Sequence, residues 1–127
     1  MGKLIKIDAE LALSEGKKGD DLLSPLSKDI YLFTTKIAGH YRLVDPSPFL
    51  TLGIGEAISL KRSASKYDPN EISMEKEGLL VGYVPEVDEV IFARLMDAGK
   101  YLFGKVKSKS FSHNTPQFEV DIFLRDF

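Results

Sequence analysis

Residues 70–99, NEISMEKEGLLVGYVPEVDEVIFARLMDAG, hold the two signals that decide the fold. In the first half, Ile72 and Met74 alternate with polar neighbours, EKEG supplies a turn, and LLVGYV returns as a second apolar run, which predicts a β-hairpin. In the second half the period changes. From Pro85 onward, Val87, Val90, Ile91, Leu95 and Ala98 fall at helical spacing, Glu86, Asp88 and Glu89 crowd the first turn, and Gly99 stands where a helix C-terminus wants it. A hairpin feeding directly into one helix excludes an all-helical chain and points to a mainly β domain with minor α content.

Upstream, IYLFTTKIAG (30–39) is rich in β-branched and aromatic residues and stops at Gly39, as a strand would. VDPSPF (44–49), with two prolines, predicts a turn or irregular crossover. FLTLGIGEAISLKR (49–62) is a second long strand candidate, with Gly53 and Gly55 suited to a bulge. Downstream, KYLFGKVKSKSF and FEVDIFLRDF predict two more strands, the last carrying Phe118, Val120, Ile122 and Leu124 on one face. The sum is five or six short strands with one clear helix, expected to close as a small antiparallel barrel. Residues 1–27 read as an N-terminal arm, with strand-like KLIKI and then a short helix from Asp8 that Gly16 and Gly19 end; residues 28–127 read as the domain.

Composition narrows the function. The 127 residues carry 17 basic and 19 acidic side chains, a formal charge of −2, so no long-range field draws in a phosphate backbone and any nucleic-acid site must be local. Cysteine is absent, which removes disulfides and thiolate metal sites. With neither a signal-peptide pattern nor an apolar run of membrane-spanning length, a cytoplasmic location without membrane contact is the expectation. No nucleophile elbow, phosphate-binding glycine loop or metalloprotease helix occurs, and GIGEA (53–57) lacks the helix a dinucleotide fingerprint requires. The expectation is a non-enzymatic module with no catalytic residues, no cofactor and no metal. A metal-assisted nuclease built on His40 and Asp68 is the weakest alternative.

Two loops offer binding chemistry. GHYR (39–42) and KRSASKYD (61–68) each set an aromatic ring beside cations. Single-stranded nucleic acid needs that pairing, a ring for the base and a cation for the phosphate. Solvated turns would use the same residues. In GKVKSKS, Lys105, Lys107 and Lys109 share one strand face, which serves equally as a solvated face, a guarded edge or a basic stripe.

The order of IAGHYR, GEAISLKR, YDPNEISM, VGYVP and ARLMDAGKYL resembles the HIRAN domain from about Ile30 to Leu124. The resemblance implies a barrel related to the OB-fold with one or two helices. In members attached to helicases it implies a pocket for the 3′ end of single-stranded DNA. Carried over by motif, Tyr67 stacks on the terminal base, Asp68 accepts a hydrogen bond from the 3′ hydroxyl, and Tyr41 is the second ring. His40 stands where the family's loop can place a phosphate-binding cation and Tyr83 lies near the strand phosphates, while Arg62 and Lys66 are the cations that KRSASKYD itself sets beside Tyr67. The expected partner is a DNA 3′ end, with a helicase or nuclease acting in trans and a role in DNA repair. Two departures are visible: Glu86 follows VGYVP where a basic residue can stand, and SASK precedes Tyr67 in place of an Asn-Pro pattern. They keep open a second reading, a regulatory or protein-interaction domain that retains the barrel without binding DNA.

Overall fold

The structure is a computed structural model, and residues 28–126 are described. The arm expected over residues 1–27 lies outside them. Tyr31–Leu124 form one compact unit. Of a second unit only Lys28–Ile30 and Arg125–Asp126 are described, and there Arg125 Nε donates to Asp29 Oδ1 at 2.8 Å.

The strands are β1 (Lys28–Lys36), β2 (Ala57–Arg62), β3 (Ile72–Lys76), β4 (Leu79–Tyr83), β5 (Tyr101–Ser112) and β6 (Thr115–Asp126). Between β1 and β2 lie a 3₁₀ turn (His40–Arg42) and a one-turn helix α1 (Ser47–Leu50); helix α2 (Glu86–Asp97) joins β4 to β5. The six antiparallel strands form one sheet in the order β1-β6-β5-β2-β3-β4. A mainly β domain of six strands is therefore as expected, but the hydrogen bonding does not close a barrel. The sheet keeps two edges, β1 and β4, tied by one isolated bridge in which Ala38 and Tyr83 exchange N–H···O bonds of 2.8 and 2.9 Å.

That bridge depends on Gly82. Its φ is +154°, and a Cβ there would stand 2.4 Å from Ile37 Cγ2 and 2.8 Å from the Ala38 carbonyl oxygen. Any side chain would push the two edges apart. The predicted β3–β4 hairpin is present, with Leu60 opposite Met74 and Met74 opposite Gly82 across three strands, and a bulge after Met74. Its turn is Glu77–Gly78, both at positive φ, the pattern of a two-residue type I′ turn. His113–Asn114 make the same kind of turn between β5 and β6, which accounts for one of the two histidines.

Two expectations need correction. The strand predicted from Phe49 does not begin until Ala57. Pro46 and Pro48 favour the first turn of a helix, and Asp45 Oδ1 accepts the Ser47 N–H, so the chain makes α1 instead. Phe49 and Leu52, three residues apart, are then buried in the core. In α2 the buried stripe is Glu89, Phe92 and Ala93, with Leu95 and Met96 packed at its margin. Val87 is 89% exposed and Ile91 59%. Hydrophobic counting favoured the valines, but the largest ring decides the rotation: Phe92 stacks on Phe33 at 4.7 Å, and Asp88 Oδ2 accepts the Thr35 hydroxyl at 2.6 Å.

Rotating α2 in this way buries a carboxyl group. Loss of water raises Glu89 from 4.5 to about 7, helped by a hydrogen bond with Asp68 and by the charges of Asp68, Glu86 and Glu71.

Two outcomes follow from this packing. Gly82→Ala should lower the unfolding free energy in urea by roughly 1–3 kcal/mol, the usual cost of forcing atoms into a filled site. Because the folded state holds the Glu89 proton to a higher pH than the unfolded chain, stability should fall as pH rises from about 4.5 to 7 and then level. Glu89→Gln should flatten that slope and stabilise the fold above pH 7 by an amount on the order of 1–3 kcal/mol.

Candidate nucleic-acid interface

The bridged edges, the loop after β2 and the start of α2 enclose an open groove of about 540 Å³. One wall is Ala38, Gly39, Tyr41 and Arg42, the opposite wall is the loop carrying Ser65, Tyr67, Asp68 and Glu71, and the floor is Tyr83–Glu86 with Glu89.

The loop wall is built by short-range bonds. Ser65 Oγ accepts the Tyr67 and Asp68 N–H groups at 3.3 and 3.1 Å, and Asp68 Oδ1 accepts the Asn70 N–H at 3.1 Å. These side-chain turns hold the backbone in place of a regular ladder. Arg62 fastens the loop from behind. Its Nη2 donates to the Pro69 carbonyl and its Nη1 to the Glu71 carbonyl, both at 2.9 Å, while Nε and Nη2 grip the Asp97 carboxylate at the end of α2. Arg62 thus holds Asp97 below the usual carboxylate range.

The other wall is set by Arg42. Its guanidinium lies 3.9 Å from the centre of the Tyr83 ring and donates to Glu71 Oε1 at 2.9 Å, linking the two sides of the groove. That ion pair raises Arg42 further above its ordinary value. A Cβ on Gly39, at φ +70°, would come within 2.9 Å of the same Tyr83 ring, so the tight approach of this loop also needs glycine.

Tyr41 is 82% exposed and Tyr67 86%, one on each wall. Neither ring is held in the core, though the His40 ring meets Tyr41 edge to face at 6.1 Å. Lys66 Nζ sits 5.0 Å from the Tyr67 ring centre. Below them, one carboxylate oxygen each from Asp68, Glu86 and Glu89 lies within 4.8 Å of the others. The groove therefore offers aromatic faces and hydrogen-bond acceptors, with its guanidinium already paired.

Of the residues singled out in the sequence, Tyr41, Tyr67, Asp68 and Tyr83 line this groove together. Lys66 stands at its rim. Arg62 and His40 do not line it. Arg62 has its donors committed to the loop carbonyls and Asp97. His40 stacks on Phe49 with ring centres 4.8 Å apart and lines a separate cavity of about 150 Å³ with Lys36 and Gln117. The reason is local: the 3₁₀ turn begins at His40, and at three residues per turn consecutive side chains point about 120° apart. The basic stripe is divided as well. Lys109 Nζ donates to the Leu50 and Leu52 carbonyls at 3.3 and 2.9 Å, whereas Lys105 and Lys107 are exposed.

Sequence reasoning missed Glu71 and Glu89 as groove residues. A signal for Glu89 was present: it stands three residues after Glu86, on the same side of the helix. Among the described residues no helix is long and apolar enough to cross a membrane.

No protein-family model and no curated protein matches the chain. Two solved structures are similar to it. A protein of Lactobacillus plantarum solved by a structural-genomics consortium is 27% identical, with a TM-score of 0.71 over 80% of this chain and 99% of that one. The HIRAN domain of human HLTF is 16% identical, with a TM-score of 0.59 over 77% of this chain and 79% of that one. This chain has a HIRAN-like fold.

Proposed function

We propose that the domain is a binding module for single-stranded DNA and takes the 3′ end of a strand in the groove between Tyr41 and Tyr67. The observation that carries the reading is that two tyrosines, each more than four-fifths exposed and borne by separate loops, line one groove together with Asp68. Rings in that state bury apolar surface only when something stacks on them, and a base supplies a matching π-face. The HIRAN-like fold supports the same reading.

The carboxyl groups then select what the base is attached to. A terminal hydroxyl donates to Asp68 and is held, whereas a continuing phosphate meets Asp68, Glu86 and Glu89 and is repelled. This discrimination needs no free cation. Lys66, beside Tyr67, is the phosphate contact on the outer side of the base. A helicase or nuclease acting in trans is the partner class that such an end-binding module would serve.

A second reading is favoured by one specific observation, the concentration of carboxylates on the groove floor. It makes the domain a protein-interaction module whose groove accepts a basic side chain in place of a nucleotide.

Fluorescence anisotropy at low salt separates the two. A short oligonucleotide ending in a 3′ hydroxyl should bind more tightly than the same strand ending in a 3′ phosphate, and Asp68→Asn should narrow the difference. Equal affinity for both ends would remove end recognition, and no binding of either would favour the interaction module. Tyr67→Ala should weaken binding by roughly 1–3 kcal/mol, about 5- to 150-fold, without altering the thermal midpoint.

A further inference from the structure

We propose that Glu89 is the positioning residue behind Asp68: the two carboxyl groups share one proton, which aims Asp68 at a strand end, and loss of that proton closes the groove floor to the strand. The inference rests on the DNA reading above and adds to it the condition under which the groove binds.

Geometry comes first. Glu89, on α2, is 5% exposed and lines the groove floor, and Asp68 lines the same groove from the loop that Arg62 fastens. One carboxylate oxygen of each lies within 4.8 Å of the other and of an oxygen of Glu86. The Glu89 carboxyl has the Asp68 carboxyl as its hydrogen-bond partner. Two ionised carboxylates offer only acceptors, so a hydrogen bond between them requires one of the pair to hold a proton.

The charges around the pair do not replace that proton. Arg62, on β2, sends its donors to Asp97 and to the Pro69 and Glu71 carbonyls. Arg42, on the opposite wall, and Ser63 hold the Glu71 carboxylate. Lys66 is turned over the Tyr67 ring, and β4 contributes the Tyr83 phenol. On α2 itself, Asp88 accepts the Thr35 hydroxyl and Glu86 adds negative charge from the exposed side. Burial first, then the bond to Asp68 and the charges of Asp68, Glu86 and Glu71, keep the proton on Glu89 up to about pH 7.

Two consequences reach a bound strand. With the proton in place, the Glu89 hydroxyl donates to Asp68, and together with the Asn70 N–H on Oδ1 it fixes the direction of the carboxylate that accepts the 3′ hydroxyl. Without the proton, Asp68 loses that donor, and the floor turns three negative carboxylates toward the nearest phosphodiester. A strand in the groove therefore holds the Glu89 proton to a higher pH than the free protein does. Binding is then at full strength below the free protein's transition and weakens as pH rises through it.

The test has one arm without DNA and one with it. In the whole ¹³C-labelled chain, the Glu89 side-chain carboxyl should titrate by NMR near pH 7, and Asp68→Asn, whose amide donates to an ionised Glu89, should lower that midpoint by about one unit or more. In the second arm, fluorescence anisotropy follows an oligonucleotide ending in a 3′ hydroxyl from about pH 5.5 to 9 at constant ionic strength. Affinity should fall roughly tenfold across that range, the change that goes with a one-unit rise of Glu89 on binding. Glu89→Gln, uncharged at every pH and still a donor to Asp68, should keep the low-pH affinity throughout and still prefer a 3′ hydroxyl over a 3′-deoxy end. A Glu89 side chain that merely fills space would leave the profile unmoved by that exchange. A Glu89 midpoint near 4.5, or a pH profile that persists in Glu89→Gln, would overturn the inference and leave the DNA reading standing. No binding at any pH, with the Glu89 titration present, would overturn the DNA reading and the gating that rests on it.

Discussion

The groove exists because one residue lacks a side chain. Gly82 lets the chain leaving β1 approach β4 closely enough for Ala38 and Tyr83 to exchange two backbone hydrogen bonds. With any Cβ in the way the sheet would remain an open curl, and the walls that carry Tyr41 and Tyr83 would have no fixed spacing. From that contact the rest follows in order. Tyr83 presents a ring for Arg42, Arg42 reaches Glu71, and Glu71 belongs to the loop that presents Tyr67 and Asp68.

Much of this was legible in the sequence, and the failures have physical causes. The β3–β4 hairpin and α2 could be read because period and turn chemistry are local properties, and Gly78 and Gly99 stand where those rules require. The rotation of α2 could not, because it depends on which side chain fills a cavity made by distant strands; Phe33 and Thr35 on β1 decide it. The early stop of the second strand was within reach, since Pro46, Pro48 and Asp45 together spell a helix start more strongly than Phe49–Leu52 spell a strand.

The site divides along the same line. Tyr41, Tyr67, Asp68 and Tyr83 could be named because a motif fixes which loops carry them. What a motif does not fix is the use of each charge. Counting Arg62 and His40 as groove cations treated charge as free, whereas the fold draws Arg62 into holding the loop and turns the His40 ring onto Phe49. Residues that brace a groove and residues that line it look alike in one dimension. A buried acid such as Glu89, hidden in what reads as an ordinary acidic first turn, is the converse case.

Arg62 and Arg42 have one more consequence. Proteins that grip nucleic acid through unpaired lysines and arginines displace the ions condensed on its backbone, and that release is what makes their grip collapse as salt is added. Here both guanidinium groups are already paired with protein carboxylates, Arg42 with Glu71 and Arg62 with Asp97, so neither stands as an unpaired cation. A strand bound in this groove as proposed would therefore lose less of its hold on added salt than one gripped through unpaired cations.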